Sequence, residues 1–145
     1  MPAFRHTREI KAAVEAVYQA LADPARLARW WGPDGFTNTI RKFEFTPGGH
    51  WDFTMHGPDG ANYPNQAIFT EIIPNSSVAI KHISQPNFLL SISLRPSANG
   101  TLVTWVQEFD DPSIADNIRH IVEPANEQNL RRWGQEVATF PKPGA

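Results

Sequence analysis

The sequence predicts an α+β fold in which a curved antiparallel sheet of about six to seven strands wraps around a long C-terminal helix. Two short helices are expected after the first strand. Three observations carry this prediction. Residues 36–110 alternate apolar and polar positions between tight-turn signals. Residues 14–21 and 126–137 instead repeat their apolar positions at helical spacing. The segments between successive strands are also too short to hold the crossover helices that parallel pairing requires.

Phe4 to Ile10 reads as the first strand. Val14, Val17, Tyr18 and Leu21 then fall on one helical face. Asp23-Pro24 ends that helix and starts another, because Asp is a good N-cap and Pro suits the first helical position. The second helix is expected over Pro24 to Trp31, ended by Gly32. Thr37 to Phe45 is the next strand, closed by Pro47-Gly48-Gly49. In His50 to His56, Trp51, Phe53 and Met55 share one face and Asp52, Thr54 and His56 the other. Asn65 to Ile73, Val78 to Ser84, Phe88 to Leu94 and Thr101 to Phe109 complete the meander, the last two joined at Asn99-Gly100. Gly-Pro-Asp-Gly occurs at 32–35 and again at 57–60, and both copies read as tight reversals.

Asn126, Leu130, Trp133 and Val137 make one stripe of the last helix, with Pro124 near its start and Phe140-Pro141 at its end. Ile114 to Val122 is read as a further short helical stretch. Pro141 to Ala145 is expected to fray, since its two prolines forbid helix continuation.

The totals exclude several functions. The 145 residues contain no cysteine, which removes disulfides, thiolate metal sites and a cysteine nucleophile, and fits a reducing cytoplasm. Thirteen Lys and Arg against fifteen Asp and Glu leave no basic block to grip nucleic acid. The first ten residues lack the apolar stretch of a secretory signal, and no apolar run reaches the roughly 18–20 residues of a membrane span. A cytoplasmic protein is therefore expected. Five Trp and nine Phe are the informative excess, because rings on this scale build either a bulky core or a cavity wall.

The chain resembles the START-like helix-grip superfamily, also called SRPBCC, and within it proteins like the activator of the Hsp90 ATPase. The resemblance rests on Val17-Tyr18-Gln19-Ala20-Leu21 with Asp23-Pro24, on Leu27-Ala28-Arg29-Trp30-Trp31-Gly32-Pro33, and on Pro47-Gly48-Gly49-His50-Trp51-Asp52-Phe53. Met55-His56-Gly57-Pro58-Asp59-Gly60, Tyr63-Pro64-Asn65 and Asn126-Glu127-Gln128-Asn129-Leu130 add to it. These words follow in order along nearly the whole chain. The resemblance implies a single domain over residues 1–140 and an apolar cavity between the sheet and the last helix. Such cavities serve lipids, sterols, polyketides and aromatic compounds, and members include carriers, cyclases and chaperone-linked stress proteins.

The residues offer candidates for lining such a cavity. Trp51, Phe53, Met55, Phe69, Phe88, Leu90, Trp105 and Phe109 lie on strand faces that turn inward. Trp30, Trp31 and Phe36 fall where the small helices give way to the sheet, near an expected mouth. Leu130 and Trp133 close the space from the helix. Tyr63, Asn65 and His82 are the polar groups expected to orient a ligand. A binding protein for a small apolar or aromatic molecule follows, with no cofactor, and exposed sheet edges leave room for a homodimer.

Catalytic signals are sparse. The five histidines show no compact ligand spacing, so no metal site is expected. His82 shares its face with Val78 and Ile80 and is the candidate proton carrier. Glu71 is the second candidate: alternation favours an outer position for it, while shared parity with Phe69 leaves an inward one open. Asp110-Asp111 before Pro112 reads as a helix-capping turn. No Gly-x-Ser-x-Gly or phosphate-loop word occurs. The alternatives to a binding protein are a cyclase- or hydrolase-type enzyme using the same cavity, and a chaperone-linked protein acting through its surface.

Overall fold

A computed structural model describes residues 3–139. Strand β1 (Ala3–Ile10) is followed by helices α1 (Val14–Ala22) and α2 (Pro24–Trp30). Six strands then run in series: β2 (Thr37–Phe43), β3 (His50–His56), β4 (Asn62–Ile73), β5 (Ser77–His82), β6 (Phe88–Ser97) and β7 (Gly100–Phe109). Helix α3 (Pro112–Ala138) follows. All neighbours in the sheet are antiparallel, in the order β1-β7-β6-β5-β4-β3-β2. The α+β meander is the one that the alternation predicts. The expected fraying of 141–145 and the Phe140-Pro141 helix end lie outside the described residues.

The local signals act as chemistry requires. Asp23 accepts from the Ala25 amide at 2.9 Å, with Pro24 in the first turn of α2. Asp111 accepts from the Ser113 amide at 2.9 Å and caps α3. Its neighbour Asp110 bonds Lys81 Nζ at 2.6 and 2.8 Å. The second Gly-Pro-Asp-Gly closes with Gly60 N donating to Gly57 O at 3.0 Å. The first copy turns one residue later, Phe36 N donating to Pro33 O at 3.2 Å.

Several boundaries differ from the expectation: β2 ends at Phe43 and not Phe45, β5 runs from Ser77 to His82 and not from Val78 to Ser84, β6 continues to Ser97, and two larger differences involve prolines. Pro124 does not start the last helix but sits inside a continuous one of 27 residues, absorbing the segment read as a separate stretch. A proline inside a helix removes one hydrogen bond. Packing on both sides of it outweighs that loss: Ala115 joins Phe4 and Phe109 before it, and Asn126 donates to Gln107 Oε1 at 3.0 Å after it. Strand β4 begins three residues earlier than expected, taking in Pro64 opposite Thr54. Around Pro64, over 62–65, this strand pairs with β3 alone, where a residue without an N–H is tolerated.

The core lies between the inner face of the sheet and the three helices. Val17, Leu21, Leu27 and Trp30 meet Leu130, Trp133 and Val137 on one side and the rings of β3, β4 and β7 on the other.

Candidate functional site

The inward faces of the strands meet at Trp31, the last residue before Gly32 and the most exposed of the five tryptophans, at 8%. Its ring stands 4.9 Å from that of Trp51 on β3 and 5.5 Å from that of Trp105 on β7. Trp51 in turn stacks on Phe53 at 4.1 Å and lies parallel to Phe69 at 5.9 Å. Leu90, Leu130 and Trp133 are buried in the same cluster, and Met55 and Phe88 pack against it. These ten predicted lining residues do come together, and the space between sheet and helix is filled by their rings and side chains.

The other five are placed differently. Phe109 belongs to a second cluster with Phe4 and Ala115, joined to the first through Phe88 at 5.3 Å. Phe36 and the exposed Tyr63 pack on each other at 6.0 Å outside the core. Asn65 and His82 form a polar pair: His82 Nε2 is 2.6 Å from Asn65 Oδ1, and its Nδ1 donates to Pro86 O at 2.8 Å. The imidazole stacks flat on Phe88 at 4.4 Å. Burial holds its pKa below the ordinary value, against the pull of the Pro86 carbonyl.

Glu71 is not brought to His82. A β-bulge between Phe69 and Glu71 breaks the parity that would have turned it inward. The side chain is exposed and accepts from Ser77 Oγ at 3.2 Å. Trp30, expected near the mouth, is buried and stacks on Trp133 at 4.6 Å.

The backbone beneath Trp31 is held from several directions. Asn38 donates to Trp31 O at 2.8 Å, and Gly32 N donates to Asn129 Oδ1 at 3.0 Å. The Arg132 guanidinium donates to the carbonyls of Arg29, Gly32, Pro33 and Phe36 at 2.6–2.9 Å. Burial lowers the Arg132 pKa, yet a guanidinium stays charged at any working pH. Gln128 accepts from the Asp34 amide at 3.1 Å and Arg131 pairs with the Asp34 carboxylate. One stretch of α3 thus fixes the whole loop. Gly32 needs its glycine, with φ at +100° and a hypothetical Cβ 2.8 Å from Met55 Cε.

Five buried polar side-chain atoms have no hydrogen-bond partner among the described residues: His6 Nε2, Asn38 Oδ1, Trp51 Nε1, Trp105 Nε1 and Asn129 Nδ2. Four of them belong to side chains that contact Trp31 or Gly32. His6 is the cross-strand neighbour of Trp105. Residue reasoning named the rings but missed Asn38, Asn129 and Arg132. Only the word Asn126 to Leu130 in the last helix pointed near them.

Two surface depressions lie away from this interior. One of about 180 Å³ is lined by Gln85 to Asn87, Phe109 to Asp111 and Ile114. Another, of about 380 Å³, lies between Ala13 to Glu15, Asn75, Pro96 and Gly100. No helix among the described residues is long and apolar enough to cross a membrane.

A seven-stranded antiparallel sheet closed by a long C-terminal helix, with two short helices after β1, defines a helix-grip protein. Solved structures share this fold. A protein from Chromobacterium violaceum is 22% identical, with 93% of this chain and 96% of that one covered and a TM-score of 0.82. One from Nitrosomonas europaea is 19% identical, with 94% of each chain covered and a TM-score of 0.86. The AHSA1 protein from Silicibacter pomeroyi is 24% identical, with 95% and 99% covered and a TM-score of 0.78. Residues 11–141 match the family described as Activator of Hsp90 ATPase homolog 1-like protein, and the chain belongs to that family. No curated protein matches the sequence.

Proposed function

We propose that this protein binds a small apolar or aromatic molecule between the sheet and α3, entering at Trp31. The observation that carries this reading is the position of that residue. Trp31 comes from a loop end rather than from the sheet or α3, yet its ring contacts those of Trp51 and Trp105 on the sheet's inner face. It is also the tryptophan nearest to solvent. Turning one side chain outward would open an apolar space without disturbing the strands, and burial of ligand surface would supply roughly 25 cal/mol per Å² before binding costs.

Native mass spectrometry of freshly purified protein, followed by thermal-shift screening of apolar and aromatic compounds, tests this function. A co-purifying small molecule or a concentration-dependent rise in Tm is the expected result. A clean apo mass with no shift across the set would contradict it.

The family match favours one second reading, contact with a chaperone through the protein surface. That reading predicts stimulation of an Hsp90-type ATPase by the purified chain.

A further inference from the structure

Resting on the binding reading above, we infer that the ligand is a flat aromatic molecule carrying a hydrogen-bond-accepting oxygen, which displaces the Trp31 indole and is met by the N–H groups of Trp51 and Trp105. The two indoles are 1% and 2% exposed, and neither N–H has an acceptor among the described residues. Leaving a buried donor unsatisfied costs about 1–3 kcal/mol each, so two such donors flanking one side chain are a feature that ordinary packing selects against. The other two tryptophans that are at most 1% exposed, Trp30 and Trp133, show the ordinary solution. Trp30 Nε1 donates to Ala20 O at 2.8 Å and Trp133 Nε1 to Val17 O at 3.1 Å.

A third free donor points the same way. Asn129 Nδ2 is buried without a partner, and the orientation of its amide is fixed because Oδ1 accepts from Gly32 N. Three unpartnered donors, Trp51 Nε1, Trp105 Nε1 and Asn129 Nδ2, stand against two unpartnered acceptors, Asn38 Oδ1 and His6 Nε2. The Nδ1 side of His6 faces the Glu127 carboxylate, which leaves Nε2 as the acceptor and this region short of one acceptor. An oxygen on the ligand supplies one. The Trp31 backbone is pinned by Asn38, with Asn129 and Arg132 pinning the residues beside it, so the motion is a side-chain rotation and not a loop opening. An indole already occupies the space, so an aromatic group of similar width fits where it stood.

Calorimetric titration of acetylnaphthalene and isopropylnaphthalene separates the two claims, because these probes match in shape and differ in the carbonyl. Wild-type protein is expected to bind the ketone roughly tenfold more tightly than the hydrocarbon. Trp31→Ala should tighten both probes and keep the preference. Trp51→Phe and Trp105→Phe, which keep a ring and lose the donor, should each shrink the preference, and they remain informative if Trp31→Ala fails to fold. Equal binding of the two probes by wild-type protein would overturn the donor assignment while leaving the binding site standing. No binding of either probe by any of these proteins would overturn the site itself.

Discussion

Trp30 and Trp133 stack with ring centroids 4.6 Å apart and planes inclined by 10°, joining α2 to α3. Both indoles also donate to α1 carbonyls, so three helices share one ring pair. Trp133→Ala should therefore cost about 3–5 kcal/mol of stability, and Trp133→Phe clearly less. Urea unfolding monitored by circular dichroism measures both.

Arg132 serves four carbonyls with a planar fork of donors. A lysine offers three donors on a point charge and cannot reach the same set. Arg132→Lys is expected to lose about 2 kcal/mol and to speed amide exchange in residues 31–36, with exchange elsewhere little changed.

Glu136 is 7% exposed and accepts from Arg26 Nε at 3.3 Å and from Arg29 Nε and Nη2 at 3.0 and 2.9 Å. Glu136→Ala takes the carboxylate from two guanidinium groups, one of them buried. A loss of roughly 3 kcal/mol is expected. Thermal unfolding reports it as a lowered Tm, and Arg29→Ala should cost less because that side chain is half exposed.

His82 makes stability depend on pH in a defined direction. Its folded pKa lies below the ordinary 6.5 because of burial. The unfolded chain therefore binds the proton more readily, and stability present above pH 6.5 is lost as the pH falls below it. Tm should decline from about pH 7.5 to pH 5, and His82→Gln should flatten that slope. A slope unchanged by the substitution would remove His82 as its source.

Much of the fold was legible because local rules agreed with the tertiary outcome. The alternation of Trp51, Phe53 and Met55, the Asp23-Pro24 start and the Asp111 cap are all read from neighbouring residues. Pro124 was not, because the rule that proline ends a helix is local, while the packing that carries α3 past it comes from Phe4, Phe109 and Gln107. The same limit applies to the site. Parity places Trp51 and Trp105 inward, but it cannot foresee a bulge that turns Glu71 out. Nor can it foresee that Phe36 packs on the exposed Tyr63 and not in the core. Asn129 and Arg132 carry no local signal of their role, because their hydrogen bonds go to a loop about a hundred residues earlier in the chain.

Under the binding reading, the interior beside Trp31 admits a small molecule. The indole N–H resonances of the five tryptophans, followed by heteronuclear NMR during titration with acetylnaphthalene, report on that interior. Trp31, Trp51 and Trp105 are expected to shift, with Trp30 following as a ring neighbour of Trp31 at 5.6 Å, while Trp133, whose N–H is bonded to Val17 O, moves least. Shifts confined to backbone amides around residues 85–87 and 109–114, with all five indoles unmoved, would contradict that reading.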